Sequence, residues 1–193
     1  MERNSCFKRI VHDKGSRAAI AWGWLNTALL HFLQRFVEKQ TQRKALLMTH
    51  PVQQQVLDIL RQDWAEYIPQ FRRMPLEAQA AFLAAQGYAR FGDLLAHIVA
   101  WWQVGHQSIQ RYLSDPTFQP PQYDVDAFNA DAVAQAAAKS EDEIAASFEA
   151  MRAILVDFVE QLPETAFENE KVLRQLNMEF TGHLSEHQLP QSQ

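Results

Sequence analysis

The segment 140–163 constrains the fold most strongly, because it carries both a helix start signal and a long apolar repeat. Ser140 and Glu143 form a capping box, in which each side chain can bond a free backbone amide of the other residue. The apolar residues that follow recur at steps of four and three until Pro163 ends the pattern, and they are Ile144, Phe148, Met151, Leu155, Phe158 and Leu162. Such a seam is typical of a helix that packs against other helices in a bundle.

The same kind of periodicity predicts three further helices, at about 51–71, 91–113 and 170–189. Pro69 should bend or end the first of these, and a mixed connection joins it to the second. A long connection at 117–139, with a short helix at about 127–138, leads from the second helix to the third. No strand alternation competes with these patterns. We therefore expect an all-α, four-helix bundle with a long crossover connection between helices 2 and 3.

The net charge of −5 is unevenly distributed along the chain. Residues 1–47 carry nine Lys and Arg against three Asp and Glu, a charge of +6, which leaves −11 for residues 48–193. An acidic domain of this kind argues against nucleic acid as a partner, because phosphate contacts need clustered Lys and Arg. The lone Cys6 cannot form a disulfide within the chain, which is consistent with a cytoplasmic location.

Residues 1–47 form a basic N-terminal extension whose composition differs from that of the predicted bundle domain, 48–193. The segment 18–33 is apolar and follows a basic stretch, which leaves a signal sequence or a membrane anchor open. Polar residues interrupt this segment, so an amphipathic helix that does not enter a membrane is the preferred interpretation. A further alternative is that Met48 is the natural start and that residues 1–47 lie upstream of it.

Two histidines on the fourth predicted helix occupy positions that should be buried. Its inner row continues at steps of three and four through Leu173, Leu176, Phe180, His183 and His187. Residues four apart lie on one face of a helix, so both imidazoles can reach one ion. The alternative is a pair of core histidines that hydrogen-bond to the backbone or to water.

A third histidine, His97, holds the same kind of position on the second predicted helix, between Leu94 and Trp101. Three inward imidazoles supply enough protein ligands for a catalytic divalent metal with open positions. Zinc, nickel and iron all accept imidazole nitrogen, and the sequence does not distinguish between them.

The run from Phe91 to Trp102, FGDLLAHIVAWW, resembles the second-helix signature of the DinB-like superfamily, in which a histidine follows an Asp-Leu-Leu-Ala-type run. The motif from His183 to His187, HLSEH, is similar to the final-helix histidine pair of that superfamily. The resemblance implies a four-helix bundle, often dimeric, with a divalent metal on His97, His183 and His187. It also implies chemistry of the kind found in thiol-dependent transferases and isomerases, which act on a small molecule with a low-molecular-weight thiol as the partner.

The run from Pro121 to Asn129, PQYDVDAFN, is more similar to the ClbS/DfsB branch of that superfamily. That branch includes a protein that disarms a DNA-alkylating toxin by opening its cyclopropane, and this resemblance implies a site that works without metal. The two resemblances therefore imply different chemistry for the same fold.

Other motifs are less informative about chemistry. The HLSEH motif also fits the inverted zinc-protease pattern, but a peptidase needs a further ligand well downstream of it, and Glu186 is expected to face solvent. Asp63 and Trp101 are candidates for contacting a metal ligand or a substrate. The sequence assigns no catalytic residue.

Three hypotheses for function follow from these patterns. The first is a metal-dependent enzyme of the transferase or hydrolase type, whose ion activates a thiol or water. The second is a metal-independent protein of the ClbS/DfsB kind that binds or hydrolyses a reactive metabolite. The third is a non-catalytic dimeric bundle with a vestigial site.

Overall fold

Residues 50–190, which the computed structural model describes, form six helices and contain no strand, so the all-α prediction is confirmed for this part of the chain. We number the helices α1 to α6 in chain order. Helices α1 and α6 each contain a π-helical turn, at Ile59–Asp63 and at Asn177–Gly182. Helix α1 comprises Pro51–Asp58, the π-helical turn Ile59–Asp63 and Trp64–Arg73. The next four helices are α2 (Leu76–Gln86), α3 (Phe91–Ser114), α4 (Val125–Ala136) and α5 (Glu141–Glu160). Helix α6 comprises Glu170–Leu176, the π-helical turn Asn177–Gly182 and His183–Glu186.

The start of α5 is fixed by the capping box that the sequence predicts. The backbone amide of Glu143 donates to Ser140 Oγ at 3.3 Å, and the amide of Ser140 donates to Glu143 Oε2 at 2.8 Å. Two amides at the helix start are thereby satisfied, which stabilises the first turn. Five of the six residues of the predicted seam are buried, including Phe148 and Leu155 at 0% exposure, whereas Phe158 is only partly buried.

An aromatic layer, defined as Trp64, Trp102, Phe148 and Phe180, occupies the centre of the core. Each of these residues comes from a different helix (α1, α3, α5 and α6), and each is fully buried. The Trp102 ring centroid lies 5.1 Å from that of Trp64 and 4.7 Å from that of Phe148. Aromatic residues bury a large apolar area each, so this layer contributes heavily to the stability of the core.

Helix α2 corrects the sequence analysis, which assigned this stretch to a mixed connection. The segment Leu76–Gln86 is rich in alanine, has apolar residues on every side and buries only Phe82, so it lacks the apolar stripe by which a helix is recognised. Alanine has the highest helix propensity, however, and Gly87 ends the helix with a φ of 80°.

Helix α1 does not end at Pro69, which is one of the two outcomes predicted for this proline. The helix continues past this proline to Arg73, with Ile68 and Phe71 buried on either side of it. Burial of these two residues stabilises the helical conformation and offsets the hydrogen bond that proline cannot donate.

The last predicted helix is less regular than its apolar row indicates. It was expected to run unbroken over about 170–189, but it changes to π-helical geometry at Asn177 and ends at Glu186. The connection between α3 and α5 contains α4, which begins at Val125 rather than Ala127 and packs along α3.

The predictions for residues 1–47, including the candidate membrane segment 18–33 and the alternative start at Met48, lie outside the described residues. Of the helices within 50–190, none is long and apolar enough to cross a membrane.

Candidate metal centre

His97, His183 and His187 lie together at one end of α3 and α6. All three are buried, with exposures of 6%, 6% and 7%, and one nitrogen from each lies within 4.8 Å of the others. His97 is on α3, His183 opens the last segment of α6, and His187 follows its last residue. The structure therefore brings together three residues that could hold a metal ion.

The spacing of the Nε2 atoms fits coordination of a single ion. The distance from His97 Nε2 is 3.0 Å to His183 Nε2 and 3.2 Å to His187 Nε2. Two nitrogens bonded to one ion at about 2.0–2.1 Å are separated by about 2.9 Å at a right angle and about 3.3 Å at the tetrahedral angle. The observed distances lie within this interval.

The Nδ1 atom of His97 must carry a proton. Asn129 Oδ1 lies 3.0 Å from His97 Nδ1 and accepts the indole N–H of Trp101 at 2.8 Å. An indole nitrogen only donates, so the Asn129 atom that faces both groups is its oxygen. His97 Nδ1 therefore donates to this oxygen, and the Nε2 lone pair points toward the other histidines.

The same reasoning fixes the proton on His187. Its Nδ1 lies 2.6 Å from Gln86 Oε1, while the Gln86 amide nitrogen donates to the backbone carbonyl of Glu186 at 3.3 Å. The Gln86 oxygen is thus the atom that faces the imidazole, and His187 Nδ1 donates to it. Helix α2, which the sequence analysis missed, provides this acceptor.

Burial keeps all three imidazoles neutral. It lowers the pKa of His183 to about 3 and that of His187 to about 4, with neighbouring histidines adding to both effects. Burial also lowers the pKa of His97, against the opposing effect of the hydrogen bond with Asn129. The lone pairs on Nε2 of His97 and His187 therefore converge beside His183, which is an arrangement that can hold a cation.

Aromatic side chains from α1 and α3 hold the backbone that carries the histidine pair. The indole N–H groups of Trp102 and Trp64 donate to the carbonyls of Glu179 and Phe180 in the π-helical turn, each at 3.1 Å. The Tyr67 hydroxyl donates to the carbonyl of His187 at 2.8 Å. These bonds satisfy buried carbonyls where the helix departs from regular geometry, and π-helical turns of this kind are frequent at functional sites.

Glu179 is a buried carboxyl group that the sequence analysis did not single out. Its Oε1 accepts from Gln175 Nε2 at 2.8 Å, and its Oε2 lies 3.8 Å from His183 Nδ1, beyond direct hydrogen-bond distance. Burial raises the pKa of Glu179 to about 7, and the charge of Glu186 adds to this effect. Because His183 is neutral, the contact between them is polar and is not an ion pair.

Gly105 on α3 makes room for Glu179. A Cβ atom placed on Gly105 would lie 2.6 Å from Glu179 Cγ and 3.0 Å from its Cβ. Real side chains do not approach so closely, so the absence of a side chain at position 105 allows the glutamate to occupy this place.

A cavity of about 460 Å³ opens beside the histidines. Residues of α3, α4 and α6 line it together with Tyr88, and they include Trp101, Val125, Asn129, Met178 and Glu186. A volume of this size is typical of small-molecule sites.

The other predicted contacts are divided between two places. Trp101 lies on the wall of the histidine cavity and bonds to Asn129, which also holds His97. Asp63 is exposed and lines a separate cavity with Tyr67 and Leu189, away from the histidines. Glu186 is exposed, as expected, although it borders the histidine cavity.

Signals for the missed residues were present in the sequence for only two of the three. Glu179 precedes His183 by four positions and therefore shares its helix face. Asn129 ends the run from Pro121, whose similarity to the ClbS/DfsB branch drew attention to it. Gln86 had no such signal, because it depends on how α2 packs against the end of α6.

No family model, curated protein or solved structure shows a significant match to this chain. The likeness to the DinB-like superfamily thus depends on the two short motifs alone.

Proposed function

We propose that this chain is a metal-dependent enzyme of the DinB-like type, a four-helix bundle that binds a divalent ion through His97, His183 and His187. The observation that carries the proposal is the convergence of the Nε2 atoms at 3.0 and 3.2 Å. It is supported by the acceptors Asn129 and Gln86, which fix the proton of two rings on Nδ1. A buried N–H needs an acceptor in any core, so the support comes from the consequence that Nε2 of both rings is left as a lone pair facing His183.

A divalent ion held by three neutral imidazoles would lower the pKa of a thiol or a water molecule, which is the chemistry of a transferase or hydrolase. The cavity of about 460 Å³ leaves space for a small substrate beside the histidines. Trp101 and Asn129 fix one wall of this space through their hydrogen bond.

Glu179 is the residue to which we assign proton transfer. Gln175 binds its Oε1 and Gly105 gives it space, so Oε2 has a defined place on the cavity wall next to His183. A carboxylate fixed in this way can accept the proton of a reacting thiol or water molecule, or return it to a leaving group.

Metal content tests the proposal most directly. Protein purified without a polyhistidine tag should contain about one equivalent of zinc, nickel or iron by elemental analysis. His97→Ala should lose this ion, whereas His106→Ala, on the same helix but outside the cluster, should retain it. Protein that binds no more metal than its His97→Ala variant would refute the proposal.

Activity can be followed as the rate at which a small thiol such as 2-mercaptoethanol reacts with a chromogenic aryl chloride. The metal-loaded protein should accelerate this reaction, and Glu179→Gln should lower the rate by about 100-fold while metal content stays the same. A Glu179→Gln variant with unchanged rate would remove Glu179 from the proposal and leave the metal site intact.

A second function is favoured by the position of the run from Pro121 to Asn129. Val125 and Asn129 of this run line the cavity. The ring centroid of Phe128 lies 4.5 Å from that of Trp101. A metal-independent protein of the ClbS/DfsB kind, which binds or hydrolyses a reactive metabolite, would use the same cavity. This second function predicts that the protein binds or hydrolyses the metabolite equally well after treatment with a chelator.

A further inference from the structure

We propose that the cavity selects small organic molecules that carry a flat aromatic or alkyl group and are uncharged or positively charged, and that it disfavours anions. The inference deepens the proposed function, on which it rests for the reaction. The selection itself depends on two walls of the cavity, one apolar and one acidic.

The apolar wall is built around Trp101, which is held by Phe128 and Tyr123. The Trp101 ring centroid lies 4.5 Å from that of Phe128 and 5.6 Å from that of Tyr123. Its indole N–H is already bound to Asn129, so the ring offers a ligand its apolar surface and no donor. A rigid aromatic surface of this kind favours flat apolar groups.

Exposed apolar side chains lie on the cavity lining and next to Trp101. Val125 and Met178 line the cavity and are 53% and 54% exposed, and Tyr123, which packs against Trp101, is 39% exposed. An apolar group that covers these side chains removes their surface from water, which favours binding. The flexible thioether of Met178 can adapt to ligands of different shape.

The acidic wall consists of Glu179 and Glu186. They are the only Asp, Glu, Lys or Arg side chains among the described residues that line the cavity. In the metal-free protein, a carboxylate or phosphate on a ligand would face these groups without a cationic side chain as a partner, at a cost in binding free energy. An ammonium group placed near the exposed Glu186 would instead be attracted to it.

Three probes of similar size and different charge test this selection on the metal-free full chain. They are 2-phenylethylamine, 2-phenylethanol and 3-phenylpropionate, titrated to about 10 mM and followed by calorimetry, since fragments of this size bind weakly. The amine and the alcohol should bind at least about tenfold more tightly than the carboxylate. Equal binding of all three, tighter binding of the carboxylate, or no binding of any would overturn the proposal.

Two variants separate the walls. Trp101→Ala should weaken binding of the amine and the alcohol by about tenfold or more. Glu186→Gln, a conservative change at an exposed position, should weaken binding of the amine and leave binding of the alcohol unchanged, because it removes the charge that attracts the ammonium group. The control Glu164→Gln removes a charge outside the cavity and should change nothing. Unchanged binding in both cavity variants would refute the assignment of these walls.

The outcomes are distinguishable from those for the metal centre. If the probes bind equally while metal is lost only in His97→Ala, the selection fails and the proposed function stands. If the metal-free protein discriminates between the probes but never takes up metal, the selection stands and the proposed function fails.

Discussion

Helices α5 and α6 contribute to the same core, yet α5 is regular along its length and α6 is not. The buried residues of α5 between Glu141 and Glu160 are all apolar. Helix α6 changes geometry at Asn177–Gly182 and buries Glu179 and His183 in addition to Phe180. Burying polar groups costs free energy that apolar residues would not cost. Helix α5 therefore stabilises the core along its whole length, whereas the polar residues that α6 buries at the site make it less stabilising.

Truncation of the α5 seam should give the largest loss of stability without affecting the site. Phe148→Ala leaves a void in the aromatic layer and should lower the free energy of unfolding by about 3–5 kcal/mol. Urea unfolding measures this, with Ile154→Ala, half-exposed on the same helix, as the control. A change below about 1 kcal/mol for Phe148→Ala would show that the layer can collapse around the missing ring.

Acid should destabilise α6 through its histidines. Their pKa values in the folded protein are about 3 for His183 and about 4 for His187, against 6.5 for an ordinary imidazole. Below pH 6.5 the unfolded chain therefore binds protons that the folded chain does not. The free energy of unfolding that depends on these neutral imidazoles is fully present above pH 6.5 and is lost as the pH falls toward 4.

Between pH 7.5 and pH 5, the metal-free wild type should lose about 2 kcal/mol of unfolding free energy per imidazole more than the variant with His183→Leu and His187→Leu. Urea titrations at the two pH values measure this difference. Glu179 is present in both proteins, so its own opposite titration cancels. Parallel pH profiles would show that the histidines are not buried in neutral form.

The same double variant should separate metal binding from stability. At pH 7.5, an apolar pair on this face should make the metal-free protein as stable as the wild type or more so, because leucine gains burial where imidazole does not. Zinc at 100 times its dissociation constant should stabilise the wild type by about 2.7 kcal/mol and the double variant not at all. A metal-free double variant that melts well below the wild type would mean that the histidines are structural groups.

Removing the acceptor of His97 should weaken the site without removing a ligand. Asn129→Ala leaves His97 Nδ1 without its oxygen, and zinc affinity should fall by about 10- to 100-fold. Gln135→Ala, exposed on the same helix α4, is the matched control for calorimetric titration. Equal affinities in the two variants would contradict the role assigned to Asn129.

The smallest effect is expected from Tyr67→Phe, which removes one hydroxyl group and leaves the ring in place. The carbonyl of His187 then loses its donor, and the free energy of unfolding should fall by about 1 kcal/mol. Tyr123→Phe, at an exposed position next to Trp101, should leave the free energy of unfolding unchanged in the same thermal melts. If both variants match the wild type, the Tyr67 bond does not hold the end of α6.

Regular periodicity explains why much of the fold could be predicted. The rows of α1, α3, α5 and α6 are apolar at steps of three and four, and His97, His183 and His187 interrupt two of them. The position of these histidines on inner rows was enough to predict that their side chains lie close together. The prediction for α2 was wrong because the alanines of Leu76–Gln86 give helix propensity, while its apolar residues are spread round the helix and form no stripe.

The supports of the site depend on tertiary packing and could not be predicted from periodicity. Gln86 reaches His187 across 101 positions of sequence, and Trp102 reaches the Glu179 carbonyl across 77. The π-helical turn in α6 has no pattern of its own, since its apolar row reads as that of a regular helix. Contacts between residues so far apart in the sequence depend on how the helices pack against one another and not on the pattern of any one segment.

The close approach of Gly105 to Glu179 couples two positions that lie far apart in the chain. Alanine at 105 would meet Glu179 Cγ at 2.6 Å, whereas a shorter residue at 179 would relieve the clash. In related chains the two positions are therefore expected to vary together, with glycine at the first wherever glutamate is kept at the second. A chain that acquired a side chain at 105 first would lose the buried glutamate before any change at the histidines. The order in which substitutions can accumulate around this site is thus restricted by a single missing methyl group.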